Sequence, residues 1–267
     1  MTRETCLKRH LLFASVEAYH PHPPLYSAPA RWTEGPREID VPRIDFALVG
    51  RFAEGIVVAF RGTLTPVDLT PDGRAPGPLN FRDFGVWSDW VNSLLHALPV
   101  HAVVAGEALP GRVHGGFAES LDGLWAGIAD EVDRLRAGEP APRIYFTGHS
   151  KGGALANLAA VRAHRAWPLA TVRTVTFGGP RVGDAAFAQA YLAAGIVGHR
   201  YEVGEDIVPD VPPGNVAVGT PHDVAEIRYP LGDFRWLLRG PVGAHLPYRG
   251  FGYGENVCEP GCTHDWR

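Results

Sequence analysis

The pattern of apolar and polar positions divides this chain into strands and helices. Short β-branched and aromatic runs predict strands at 44–50, 55–60, 143–147, 171–177 and 196–203. Apolar residues at helical spacing predict helices at 4–19, 117–136, 154–165 and 184–194. The first two strands predict a hairpin, and beyond them strands and helices alternate. This order predicts a single α/β domain over residues 1–267, with a mostly parallel central sheet and helices on both faces.

Two proline-rich segments interrupt this pattern. Residues 20–43 contain six prolines, so we expect residues 1–43 to form a helix followed by an extended wrap over the domain. Residues 64–87 combine prolines and glycines with large apolar side chains. Irregular loops of this length are uncommon inside compact domains and often cover a binding site. We therefore predict a lid at 64–87, with a surface insertion that merely wraps the domain as the alternative.

A serine in a G-x-S-x-G frame lies between the strand at 143–147 and the helix at 154–165. The frame is Gly148-His149-Ser150-Lys151-Gly152. In α/β-hydrolases a sharp turn of this sequence, the nucleophile elbow, exposes the serine hydroxyl above the sheet. The sequence therefore predicts an α/β-hydrolase fold with Ser150 as nucleophile. A glycine-rich turn retained only for packing is the alternative.

Composition excludes several other classes of function. Of the 267 residues, 45% are hydrophobic and 20% are charged, with a net charge of −4, which is typical of a globular protein. The sequence has no basic stripe of the kind that would predict nucleic-acid binding, and none of its apolar runs reaches the length of a transmembrane helix. The apolar run at 11–16 ends at Glu17 and is short for a signal-peptide core. We expect a cytoplasmic protein, or one secreted without a recognisable signal peptide.

The chain contains three cysteines. Cys6 is expected to stand alone, whereas Cys258 and Cys262 flank a Glu-Pro-Gly turn and predict a local disulfide or two free thiols. Together with His264 they would supply three metal ligands, one fewer than a structural tetrahedral site uses. We therefore expect neither a metal nor a cofactor.

A serine nucleophile needs a histidine base and an orienting carboxylate, which follow it in the order acid, then histidine, in α/β-hydrolases. Asp206 follows the strand at 196–203 and is the leading acid, with Glu205 as its rival. The other downstream aspartates fit solvated loops or helix caps, namely Asp184, Asp210 and Asp223.

His245 lies on a late loop and is the leading candidate for the base. His199 precedes the acid and falls within a predicted strand, so it fits the expected order poorly. His222 and His264 remain alternatives.

Several motifs occur in the order found in one enzyme family. They are Phe-Arg-Gly-Thr at 60–63, Asp-Trp at 89–90, His-Gly-Gly-Phe at 114–117, the serine frame at 148–153, Thr-Phe-Gly-Gly-Pro-Arg-Val-Gly-Asp at 176–184, Asp-Ile-Val-Pro at 206–209 and His-Leu-x-Tyr at 245–248. Over about residues 40–250 the chain resembles the fungal-type, or class 3, triacylglycerol lipases. That family also has bacterial members, and the chain resembles a bacterial-like one.

The resemblance implies a role for each candidate residue. Ser150 would be the nucleophile, Asp206 the orienting acid and His245 the base. Thr63 and Lys151 would form the oxyanion hole through their backbone N–H groups, with the Thr63 hydroxyl as a further donor. The lid of the family follows the oxyanion residue, which is where 64–87 falls.

Three departures from the family pattern stand out. Lys151 occupies a position that is usually apolar. The segment at 64–87 is longer than the compact lid of the fungal enzymes. The spacing of 39 residues between Asp206 and His245 is shorter than usual, which keeps His264 as a rival.

The expected function is that of a carboxylic-ester hydrolase acting on lipid esters through an acyl-enzyme, with a lipid–water interface as a partner surface. Phospholipase A1, monoacylglycerol lipase and a short-chain or feruloyl-type esterase are alternatives within the class. A serine amidase and a non-catalytic lipid-binding module are further alternatives. The module would lack a triad member, and none is missing from this sequence.

Overall fold

A computed structural model of the protein describes residues 6–19, 30–41, 45–63, 98–203, 206–224 and 245. In chain order its strands are β1 (Glu34–Val41), β2 (Asp45–Phe52), β3 (Gly55–Phe60), β4 (Pro99–Val100), β5 (Val103–Val104), β6 (Glu107–Ala108), β7 (Val113–His114), β8 (Arg143–His149), β9 (Thr171–Phe177), β10 (Val197–Val203) and β11 (Thr220–Val224). Its helices are α1 (Leu7–Glu17), α2 (Gly115–Arg136), α3 (Lys151–Ala166) and α4 (Ala185–Ala193).

Seven of these strands form the central sheet, in the order β1-β2-β3-β8-β9-β10-β11. The strand β2 pairs antiparallel with both of its neighbours, β1 and β3, and every pairing from β3 to β11 is parallel. The mostly parallel sheet predicted from the sequence is thus confirmed. The carboxyl ends of the parallel strands share one edge, where ligands bind in open α/β sheets.

The sheet is covered on both faces. In β3 the side chains of Ile56, Val58 and Phe60 join the cluster that includes α2 and α3, whereas Val57 and Ala59 join the cluster around α1. A strand buried on both faces needs apolar residues at consecutive positions, which is why β3 was recognisable as an unbroken apolar run. The helices predicted on both faces are confirmed.

Side chains cap two of the helices. The N–H of Phe117 donates to His114 Nδ1 at 3.4 Å, and the N–H of Phe187 donates to Asp184 Oδ1 at 3.0 Å. Asp184 therefore has the capping position that the sequence indicated. Among the residues that the structure describes, no helix is both long and apolar enough to cross a membrane.

The two outermost strands of the described sheet, β1 and β11, were not predicted. β1 lies in the proline-rich segment read as an extended wrap, and it is mostly exposed, with only Ile39 buried. Its Pro36 lies at a register irregularity between Glu34 and Arg37, a place where a sheet tolerates proline. Residues 20–29 and 42–43 of that wrap and the predicted lid at 64–87 fall in parts of the chain that the structure does not describe.

Cys6 corrects one expectation. The residue precedes α1, is buried, and is disulfide-bonded, so the prediction that it stands alone was wrong. Its partner sulfur is not among the described residues, and neither are Cys258, Cys262 and His264. Within the described ranges, no group of three or more histidine, cysteine, aspartate or glutamate side chains could hold a metal ion.

Candidate active site

The turn at Ser150 joins β8 to α3 through a strained backbone. Ser150 has φ 57° and ψ −130°, a region that residues with a side chain rarely adopt. A Cβ at Gly148 would lie 2.3 Å from the backbone of Gly152, and one at Gly152 would lie 2.3 Å from the carbonyl oxygen of Phe60. Only glycine fits at these two positions, because strand and helix cross with no room for a side chain. This is the geometry that the nucleophile elbow requires.

Asp206 and His245 form a buried hydrogen-bonded pair close to this turn. His245 Nδ1 lies 2.9 Å from Asp206 Oδ2, and Asp206 Oδ1 accepts the N–H of Val208 at 2.9 Å. Both side chains are almost fully buried. The carboxylate is therefore fixed on both oxygens. With Nδ1–H donating to it, the lone pair of His245 lies on Nε2, the atom that can take a proton.

A second chain of hydrogen bonds holds the backbone of His245. His149 Nε2 lies 3.0 Å from the carbonyl oxygen of His245, and His149 Nδ1 lies 2.8 Å from the hydroxyl of Tyr19. A carbonyl only accepts, so His149 carries its proton on Nε2 and accepts the Tyr19 O–H on Nδ1. The rings of His149 and His245 are 4.7 Å apart at an interplanar angle of 32°. The residue before Ser150 thus supports the histidine that pairs with Asp206.

Sequence reasoning missed the roles of Tyr19 and His149 in this chain. His149 belongs to the serine frame, so its position was known, but nothing in the local pattern indicates what its ring contacts. Tyr19 follows α1, 130 residues away from its partner. The only signal in the sequence was a tyrosine at the end of a helix expected to dock on the domain, because a buried tyrosine hydroxyl usually finds a hydrogen-bond partner.

Thr63 and Lys151, the predicted oxyanion-hole residues, lie on the two segments that meet at the elbow. A Cβ at Gly62 would lie 2.7 Å from the carbonyl oxygen of His149, so the loop after β3 runs directly against the turn. Thr63 Oγ1 is buried and has no hydrogen-bond partner in the described part of the chain. Lys151 is the first residue of α3, and N–H groups of a first helical turn have no partner within the helix.

The Lys151 side chain pairs with a carboxylate. Its Nζ lies 2.7 Å from Oδ1 of Asp45, and both side chains are largely buried. The ammonium also affects His114: burial lowers the pKa of His114, a backbone hydrogen bond opposes this, and the charge of Lys151 lowers it further. The cation therefore contacts the start of β2 and acts electrostatically on the residue that caps α2.

The rival residues are placed elsewhere or lie in regions without a described structure. His199 Nδ1 and His222 Nε2 are 2.7 Å apart, so the structure brings these two rings together and pairs Asp206 with His245. Asp210 pairs with Arg181 at 2.7 Å. Glu205, His264 and the side chain of Asp223 are among the positions not described.

Comparisons with known proteins agree with this geometry. The class 3 lipase family model matches residues 57–216. Secreted mono- and diacylglycerol lipase 1 of Fusarium solani is 32% identical over 167 residues, which cover 62% of this chain and 43% of the relative. A lipase of Rhizopus niveus is 35% identical over 105 residues, covering 38% of this chain and 27% of the relative. The matches therefore span less than half the length of these curated relatives.

Solved structures share the fold. The triacylglyceride lipase of Rhizomucor miehei superposes with a TM-score of 0.61 at 24% identity, covering 84% of this chain and 81% of that one. A triacylglycerol lipase of Penicillium expansum gives a TM-score of 0.62 at 21% identity, covering 81% and 78%. At this identity the likeness concerns the fold alone, which is the α/β-hydrolase fold. The match of the family model over more than half of the sequence goes further: the chain belongs to the class 3 lipase family.

Proposed function

We propose that this protein is a carboxylic-ester hydrolase of the triacylglycerol lipase type, with Ser150 as nucleophile, His245 as base and Asp206 as orienting acid. The observation that carries the proposal is the buried Asp206–His245 pair, linked through His149 to the strained turn at Ser150. A histidine base that is oriented by a carboxylate and lies close to a serine nucleophile is the arrangement that acyl transfer needs.

The proposed reaction begins when His245 Nε2 takes the proton of Ser150 Oγ and the oxygen attacks the ester carbonyl carbon. The resulting oxyanion accepts hydrogen bonds from the backbone N–H groups of Thr63 and Lys151, each worth about 3 kcal/mol of transition-state stabilisation. The imidazolium, stabilised by Asp206, then protonates the departing alcohol and leaves an acyl-enzyme. Water then attacks the acyl carbon while His245 takes its proton. His245 passes that proton to Ser150 Oγ as the fatty acid is released. Acyl transfer by this route needs neither metal nor cofactor.

Lipid esters are the proposed substrates. Relatives named as mono- and diacylglycerol lipases and neighbours described as triacylglycerol lipases support glycerol esters of fatty acids. A phospholipase A(1) of Arabidopsis thaliana is also similar, at 29% identity over 52% of this chain, so phospholipids are the second class of substrate to assay. The lid at 64–87 and action at a lipid–water interface belong to the same proposal.

We further propose a location outside the cytoplasm. The disulfide at Cys6 supports it, because structural disulfides persist mainly in oxidising compartments. Relatives named as secreted lipases in Fusarium solani and Gibberella zeae support it as well. A single hydrolase domain over residues 1–267 and a bacterial-like position within the family remain predictions of the sequence.

The test is hydrolysis of p-nitrophenyl esters from short to long acyl chains, for the native protein and Ser150→Ala in parallel. We expect Ser-dependent turnover that falls by at least about three orders of magnitude in the variant. A long-chain optimum identifies a lipase, and a short-chain optimum identifies a general esterase. Equal activity of both proteins, or none in either, contradicts the proposal.

A further inference from the structure

We propose that the ion pair between Asp45 and Lys151 is a positioning device that aligns the oxyanion-hole N–H of Lys151 with the loop carrying Thr63. The inference rests on the proposed function and adds to it two side chains with no part in the triad. It concerns this chain in particular, because the position after the serine is usually apolar in the family that the sequence resembles.

The pair connects the two segments that supply the oxyanion hole. Lys151 is the first residue of α3, and Asp45 is the first residue of β2, 106 residues earlier. Next to Asp45, the carbonyl oxygen of Phe46 accepts the N–H of Arg61 at 3.0 Å, so the same end of β2 holds the start of the loop 61–63. Lys151 is thereby anchored to the strand that also fixes the loop of Thr63.

A second contact between these segments is purely steric. A Cβ at Gly152 would lie 2.3 Å from the carbonyl oxygen of Phe60 and 3.1 Å from the carbonyl carbon of Arg61. Close packing at Gly152 limits how near α3 approaches the end of β3, but it does not set the orientation of the preceding peptide. The ion pair supplies that restraint, because it fixes the far end of the Lys151 side chain.

Electrostatics explain why the lysine needs its partner. The N-terminus of a helix carries a partial positive charge, so a cation at the first position of α3 is unfavourable by itself. The side chains of Lys151 and Asp45 retain only 19% and 8% of their exposure. Removing either one leaves the other charge largely buried and uncompensated, and that charge would move toward water. Movement of Lys151 moves the peptide whose N–H faces the oxyanion.

The consequence for catalysis is a loss of alignment with the donor itself retained. Deleting an oxyanion donor costs about 10²–10³ in kcat. When the ion pair is broken, the N–H of Lys151 is still present but no longer points correctly. We therefore expect a loss of about 10-fold in kcat with little change in KM.

The experiment compares Lys151→Met, Asp45→Asn, the double variant and the conservative Lys151→Arg. For each we would measure kcat and KM on a p-nitrophenyl ester, and the inhibition constant of a trifluoromethyl ketone, which forms a tetrahedral oxyanion on the serine. We expect kcat and ketone affinity to fall together by about 10-fold in Lys151→Met and in Asp45→Asn. The double variant should lose no more activity than Lys151→Met does, and Lys151→Arg should keep most of the native activity.

A control is Arg136→Met. Arg136 forms an ion pair of similar length, but a more exposed one, with Asp133 at 2.6 Å in the last turn of α2, about 30 Å along the helix from its first residue. This variant should keep native kcat and ketone affinity. The inference is overturned if Lys151→Met and Asp45→Asn lower only the melting temperature, with kcat and ketone affinity per folded active site unchanged. Native protein without Ser150-dependent turnover would instead overturn the proposed function, and this inference with it.

Discussion

His245 is held at two separate atoms, and the two restraints come from different parts of the chain. Asp206 binds its ring at Nδ1, while His149, supported by Tyr19, binds its backbone carbonyl. The first contact sets the tautomer of His245, and the second sets where the residue lies. A base that must reach a serine hydroxyl needs both, because a small misplacement of a reacting group costs much of the rate.

Tyr19→Phe tests the second restraint. Without the hydroxyl, His149 Nδ1 loses its donor and the ring can carry its proton there, which breaks the bond from Nε2 to His245. We expect kcat to fall by about 10-fold, on the order of the one or two kcal/mol that a lost buried hydrogen bond costs. Steady-state kinetics with a melting curve would check this.

Tyr191→Phe is the matched control for Tyr19→Phe. Its hydroxyl is also buried and lies 2.7 Å from Thr174 Oγ1, within a contact that has no place in the proposed mechanism. It should lower stability to a similar degree and leave kcat unchanged. Equal kcat in both variants would contradict a role for Tyr19 in positioning His245.

His199 is expected to make stability depend on pH. Burial, the charges of Lys8 and Arg173, and the neighbouring His222 lower the pKa of His199 from 6.5 to about 4, with burial the largest cause. Between these values the unfolded chain binds a proton that the folded chain does not. This contribution to stability is therefore complete above pH 6.5 and is lost as the pH falls toward 4.

The measurement is the free energy of unfolding from pH 4 to 7 for the native chain and His199→Asn. In this window the free energy of unfolding should rise less steeply with pH in the variant, by up to about the slope that one bound proton produces. An identical slope in both proteins would show that His199 does not titrate as described.

The sequence was most informative where one residue carries its own signal. Ser150 was recognisable from flanking glycines, and Asp206 from its place after a strand. The partners Asp45 and Tyr19 were not predictable. Asp45 contacts Lys151 across 106 residues of sequence, and Tyr19 contacts His149 across 130. Contacts at such separation depend on how the elements pack, and no local pattern records them.

At the scale of elements, the elbow depends on how closely α3 passes the end of β3. Gly152→Ala would place a Cβ 2.3 Å from a backbone oxygen of Phe60, which only movement of the helix can relieve. We expect a loss of about 3 kcal/mol or more in the free energy of unfolding. Gly116→Ala in α2 is the control, since its nearest contact is a side-chain atom of His114 at 3.3 Å. Comparable stability of the two variants would contradict the close crossing.

Burial also decided which elements could be predicted. β3 and β8 are buried along almost their whole length and were evident as apolar runs. Among the described strands, β1 and β11 lie at the two edges of the sheet and contain prolines, so their sequences look like loops. An edge strand needs only one partner and one buried face, and its composition is therefore a weak signal.

At the scale of the whole molecule, the disulfide at Cys6 ties the segment before α1 to another part of the chain. One such bond uses two of the three cysteines, so the unfolded native protein should show one free thiol, and three after reduction. Reduction should also lower the free energy of unfolding by about 2–4 kcal/mol. Thiol titration in denaturant and melting curves with and without reductant would test this. Three free thiols before reduction would contradict the bond.

The central claim is that Ser150 attacks an ester with help from His245 and Asp206. The most direct measurement is reaction with a p-nitrophenyl alkylphosphonate, which leaves a stable tetrahedral adduct on an activated serine, followed by mass spectrometry of the digested protein. We predict one adduct, on the peptide that contains Ser150, and labelling slower by about 10³-fold or more in Asp206→Asn. An unlabelled protein, or an adduct on another residue, would contradict the account.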